Sequence, residues 1–226
     1  MGNNTSITEH KRHYYRELLC IGVPIIIGQL GTIILGFADT LMIGHHSTEE
    51  LAAAGLVNNI ITFILVSYMG FSYGLTPIIG KLYGMEKTDK IGQKVKNSFF
   101  ANMVVGVIFS LALIILYFNL HRIGQPEELL ALIRPYFIVN LISVLFVGVF
   151  NTLKQFLDGI GNTKVAMWVM IMGNIVNIFG NWVLIYGVGP CPEMGLLGAG
   201  ISTLASRVLM AVAMVGIILG TTKYRE

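Results

Sequence analysis

The sequence predicts an all-α membrane protein, a bundle of six transmembrane helices. Three observations predict it. Only 12% of the 226 residues are charged and 54% are hydrophobic, whereas a soluble domain carries about 25% charged residues. The apolar residues fall into six long runs, each near the ~20 residues that a helix needs to cross a bilayer. Those runs are continuous, without the two-residue alternation of a transmembrane barrel.

Residues 1–17 read as a polar N-terminal segment carrying Lys11, Arg12 and Arg16, with no cleavable signal pattern. Residues 18–220 read as the six-span bundle and residues 221–226 as a tail or the start of a linker. Span one covers residues 18–43. It holds Pro24 and four glycines, Gly22, Gly28, Gly31 and Gly36, and a proline bends a helix near itself by removing one backbone hydrogen bond. Span two, residues 51–80, is uncharged and exceeds the hydrocarbon thickness, so it should tilt or project. Ser47 or Thr48 is placed to cap its start, with Glu49 and Glu50 in the first turn.

A loop over residues 81–96 holds Lys81, Lys87, Lys90, Lys94 and Lys96. Span three covers residues 97–120 and span four residues 129–153, with Arg134 near its start. Residues 154–164 read as a short glycine-containing connection. Span five covers residues 165–187. Gly189-Pro190-Cys191-Pro192 is a turn that no helix continues through, and span six covers residues 196–220.

Six spans put both ends on one side. All fifteen Lys and Arg except Arg122, Arg134 and Arg207 lie in the termini or the even-numbered loops, so the positive-inside rule predicts cytoplasmic termini. The net charge of +3 is therefore topogenic and gives no sign of nucleic-acid binding. Cys20 and Cys191 fall on opposite sides and should stay unpaired.

Asp39 is the one acid inside an apolar run. Such a group costs about 2.5–3.5 kcal/mol at a helix centre and less toward the interface, and is tolerated where it faces a cavity, pairs or binds a cation. At 1.5 Å per residue, Asp39 lies roughly 7–8 Å below the outer interface, Asn181 roughly 9 Å and Thr203 roughly 10 Å. Asn177 and Asn181 share a helix face at i,i+4, with Asn174 on the same stripe. The Thr203 hydroxyl can bond back to the Ala199 carbonyl, or both oxygens can turn to a shared ligand. A carboxylate with amide, hydroxyl and carbonyl oxygens is a hard site, suited to Na⁺ or to a proton on the carboxyl. The asparagines serve equally well as interhelical glue, at about 0.6 kcal/mol each.

Arg207 lies one turn beyond Thr203 on the same face. It reads as facing a water-filled cavity or a missing partner, with Asp39 as the alternative charge partner. His45 and His46 lack the i,i+4 spacing of a metal pair and read as surface residues. The lysine loop is topogenic first and a contact for anionic lipid second. No nucleophile–base pair, CxxC or HExxH pattern appears, so no enzyme chemistry is expected.

Six segments, taken in order and spacing, resemble the MATE (multidrug and toxic compound extrusion) transporters over nearly the whole chain. They are Asp39 through Gly44, residues 50–56 (ELAAAGL), 80–84 (GKLYG), 158–164 (DGIGNTK), the run from Asn174 to Gly187, and 198–203 (GAGIST). The resemblance implies one six-helix lobe of a twelve-helix transporter, specifically the amino-terminal one. It implies antiport of cationic, amphipathic drugs or toxins out of the cell in exchange for Na⁺ or H⁺, at the cell (inner) membrane and without an organic cofactor. The family's cation site falls here on Asp39, Asn177, Asn181, Thr203 and the Ala199 carbonyl, and its span-one hinge on Pro24. Asn181 stands where some branches carry a second acid, which resembles the NorM-type branch. A second six-helix lobe or another copy is the implied partner. A lipid-linked oligosaccharide flippase of the wider superfamily, or a non-transporting membrane interaction module, are the rival readings.

Overall fold

The computed structural model describes residues 3–221, with side chains described from residue 15 onward except that of Ile123. Seven helices account for nearly all of it: α1 (Asn3–His46), α2 (Thr48–Tyr73), α3 (Leu75–Gly84), α4 (Ile91–Phe118), α5 (Glu127–Gly159), α6 (Thr163–Tyr186) and α7 (Gly195–Gly220). With α2 and α3 taken as one span, six helical segments are long and apolar enough to cross a membrane. The side chains of Lys11 and Arg12, and residues 222–226 with Lys223 and Arg225, lie outside the described residues.

The helices run past the expected span ends. The backbone of α1 is helical from Asn3, so the polar lead is continuous with span one rather than separate from it. The lysine loop shrinks because Lys81 lies inside α3 and Lys94 and Lys96 inside α4. Lysine is a good helix former whose long stem carries its charge away from the apolar face. The connection expected at 154–164 shrinks to Ile160, Gly161 and Asn162, with Lys154 and Asp158 inside α5. Span two breaks at Gly74. Pro77 explains the break: it has no N–H for the carbonyl of Tyr73, the last residue of α2.

Local chemistry sets the other ends. Ser47 accepts from the Glu49 and Glu50 amides and caps α2. Helix α6 stops at Gly187, where φ is 65°, and a side chain there would collide with the Glu193 backbone. The chain then turns back, and the Met194 amide donates to the Leu184 carbonyl at 3.0 Å.

Helix α5 is the hub, packed against α2, α3, α4 and α7, while α1 lies mainly on α6. Two apolar clusters form the core. One, near the His46 end, centres on Val57, Ile61, Tyr68 and Phe137. The other, near the lysine end, centres on Ile79, Leu157, Ala166 and Met214. Tyr68 locks α2 to its neighbours: its hydroxyl donates to the Asn102 carbonyl at 2.8 Å. Its ring lies against Gly106 and Gly148, and a Cβ at Gly148 would overlap the phenol oxygen. Gly148→Ala should therefore destabilise the bundle by about 1–3 kcal/mol, the usual cost of overpacking. Thermal unfolding in detergent checks this, and Tyr68→Leu in the Gly148→Ala background should recover part of the loss.

Candidate functional site

Helix α6 carries Asn174, Asn177 and Asn181 on one face because their spacings are three and four residues. That face meets α1 and α7. The close approach of α7 requires glycine at 180, where a Cβ would run into the Ser202 hydroxyl. Ser202 Oγ in turn donates to the Asn177 carbonyl at 2.8 Å.

The structure brings Asp39, Asn177, Asn181 and Thr203 together. Asn181 Nδ2 donates to Asp39 Oδ1 at 2.5 Å. Both asparagines are fully buried. One end of the Asn177 amide lies 3.0 Å from Asp39 Oδ1 and the other 3.2 Å from Thr203 Oγ1. With its nitrogen toward Asp39, the amide donates to the carboxylate and accepts from the Thr203 hydroxyl. With its oxygen toward Asp39, two acceptors face each other, and that orientation needs a proton or a cation between them. Asn181 Oδ1 is buried with no hydrogen-bond partner among the described residues, a state that costs free energy unless something binds it. Ala199 is buried one turn before Thr203. Pro24 is buried within α1, which continues through it without a break.

Deeper in the bundle is a polar stripe absent from the expectations above. Asn140, Ser143, Asn151 and Lys154 are buried on α5, at spacings that keep them near one face. Arg207 Nη1 donates to Ser143 Oγ at 2.5 Å, and Ser143 Oγ donates to the Asn140 carbonyl at 2.6 Å. Arg207 thus bonds to α5, and no carboxylate among the described residues forms a salt bridge with it. Arg207 lines a cavity of ≈ 170 Å³ bounded by α1, α2, α5, α6 and α7, with Gln29, Asn151, Lys154 and Asn174 also in its wall. Thr32 on α1 is another wall residue. It lies two turns from Asp39, about 10 Å along the helix axis. The signal for the α5 stripe is its spacing of three, eight and three residues, which keeps to one helix face as the spacing of the α6 asparagines does.

At the far end of α1, His46 joins three segments. Its Nδ1 lies 2.8 Å from Glu50 on α2 and its Nε2 2.9 Å from Glu193 in the α6–α7 turn. Both bonds form together only when both ring nitrogens carry hydrogen. The Tyr186 hydroxyl donates to the Met42 carbonyl at 3.0 Å and ties the same corner. The Tm gap between wild type and His46→Ala should be widest in acidic buffer and narrow as the pH rises. A gap that stays constant across the titration would remove the clasp.

A family model described as MatE matches residues 24–183. The chain is 32% identical over 211 residues to a probable multidrug resistance protein NorM of Photorhabdus laumondii, covering 93% of this chain and 47% of that protein. It is 27% identical over 190 residues to a probable NorM of Geobacillus kaustophilus, covering 84% of this chain and 42% of that protein. It thus spans about half the length of the curated relatives it matches. Among solved structures, an outward-facing multidrug resistance MATE family transporter of the MOP superfamily superposes with a TM-score of 0.81 at 23% identity. That superposition covers 88% of this chain and 44% of the other.

Proposed function

The chain belongs to the MATE family, whose members are transporters and not enzymes, and we propose on that premise that it is the amino-terminal half of a cation-coupled drug exporter. The single observation that carries the reading is the Asp39 carboxylate bonded to Asn181, with the Asn177 amide beside it and Thr203 at the amide's other end.

The exchange follows from the amides. With Asp39 ionised and bare, the Asn177 nitrogen turns to the carboxylate and an organic cation in the cavity below is attracted. When H⁺ arrives, the protonated carboxyl donates to the Asn177 oxygen turned inward; Na⁺ meets that oxygen and the orphaned Asn181 oxygen as well. For Na⁺, the Asp39, Asn177, Asn181 and Thr203 oxygens, with the Ala199 carbonyl, supply the hard ligands it prefers. The charge that held the drug is then cancelled, and α1 bends at Pro24 to release it outward. Both termini face the cytoplasm in this reading, and a second six-helix lobe or another copy closes the cavity.

The test is ethidium efflux from cells expressing the chain with a second lobe, driven in turn by Na⁺ and by proton gradients. Efflux that follows one gradient supports antiport and names the ion. Efflux indifferent to both, with transfer of lipid-linked sugar in a flipping assay, replaces it with the flippase reading.

A further inference from the structure

The charged side chains in the cavity wall have one sign. Arg207 from α7 and Lys154 from α5 both line it, and no carboxylate does among the described residues. Asp158 neutralises Lys154 at 2.6 Å but lies one turn further along α5, outside the wall. Arg207 has five N–H donors; its hydrogen bond runs to a neutral hydroxyl, Ser143. The surplus extends to Asn174, whose Nδ2 is buried with no acceptor among the described residues. Donors on three helices therefore border one small space, and Asp158 answers only one of them, Lys154.

A guanidinium inside a membrane bundle with no carboxylate in bonding contact is costly unless an anion or water meets it. The rest of the wall is soft: Met69, Met170 and Met210 line it, and unbranched thioether chains repack around apolar bodies of different shape. We propose that this cavity contains a subsite for an anionic oxygen group, the carboxylate or phosphate of an amphiphile. Arg207 holds the group directly, Lys154 supports it from α5, and Asn174 donates a hydrogen bond. A substrate that also carries a positive charge then spans the molecule's two fields, its cation toward Asp39 and its acid toward Arg207. The inference rests on the reading of this cavity as the substrate's, and it adds the acidic end of the ligand.

Rhodamine B and its ethyl ester test it, because the two dyes share a cationic fluorophore and differ in one free carboxylate. Binding is measured by fluorescence polarisation to the purified chain in nanodiscs of phosphatidylcholine. In wild type the acid should bind more tightly than the ester. Arg207→Gln should cut the acid-to-ester affinity ratio about tenfold, the worth of one charge-assisted hydrogen bond, while ester binding is kept. Arg207→Lys should keep part of the ratio. Where Arg207→Gln binds neither dye, the paired change Lys154→Gln with Asp158→Asn gives the same comparison at the other cation. Repeating the assay in phosphatidylglycerol separates the sources of the anion. Selectivity lost in that lipid assigns the site to a phospholipid headgroup; selectivity kept assigns it to the substrate. An acid-to-ester ratio equal in wild type and both sets of variants overturns the subsite. Displacement of the bound ester by Na⁺ or protons reports on the exchange mechanism separately, so the two readings fail by different results.

Discussion

Asp39→Asn is expected to abolish ion-coupled exchange while leaving the protein folded in the membrane. The substitution keeps the shape, and the new side-chain carbonyl can still accept from Asn181, as Asp39 Oδ1 does at 2.5 Å. What disappears is the charge and the capacity to take up a proton or Na⁺. One charge acting over ~10 Å at an effective dielectric of ~20 is worth roughly 1.7 kcal/mol. That is a factor of about 15–20 in affinity for a cationic drug. The larger loss is of coupling. Without a group whose charge is cancelled by the coupling ion, the two conformations have no differential interaction with that ion, and an ion can shift an equilibrium only by such a difference. Efflux should fall to background while surface expression and thermal unfolding stay near wild type. Wild-type efflux by Asp39→Asn would remove the mechanism.

The proximity of these residues was legible in the sequence because each lies on a regular helix of known rise. Counting from the span ends brought Asp39, Asn177, Asn181 and Thr203 to one level, and an error of a few residues at a boundary moves all depths by less than a turn or two. The ends themselves were less legible. A charge in the sequence reads as the end of a span, yet Lys154 and Asp158 stand four residues apart and bond to each other at 2.6 Å, so the pair stays inside α5. Pro77 breaks span two for a reason visible in the sequence but masked by the unbroken hydropathy around it. The His46 clasp was not legible at all. Its second partner, Glu193, is 147 residues away, and no local spacing connects them.

Asp158→Leu should be the most destabilising of the changes considered. Lys154 and Asp158 are 9% and 6% exposed and joined at 2.6 Å, and every residue from Phe150 to Leu157 is buried. Removing the acid leaves a lysine ammonium with its counter-charge gone in that setting. Breaking a buried pair from one side typically costs 3–5 kcal/mol, about that much being the penalty of the stranded charge rather than the worth of the pair. The double change Lys154→Met with Asp158→Leu strands nothing and should return thermal stability close to wild type or above it, because well-packed apolar replacements of buried pairs are often neutral or stabilising. The two single changes and the double form a cycle whose coupling term isolates the pair. Asp158 Oδ1 has no hydrogen-bond partner among the described residues, so the carboxylate is held chiefly through one oxygen and the coupling should sit almost wholly in the Lys154 contact. A single Asp158→Leu protein as stable as wild type would mean that water reaches Lys154 freely. In that event its charge is screened, and Arg207 alone sets the sign of the cavity.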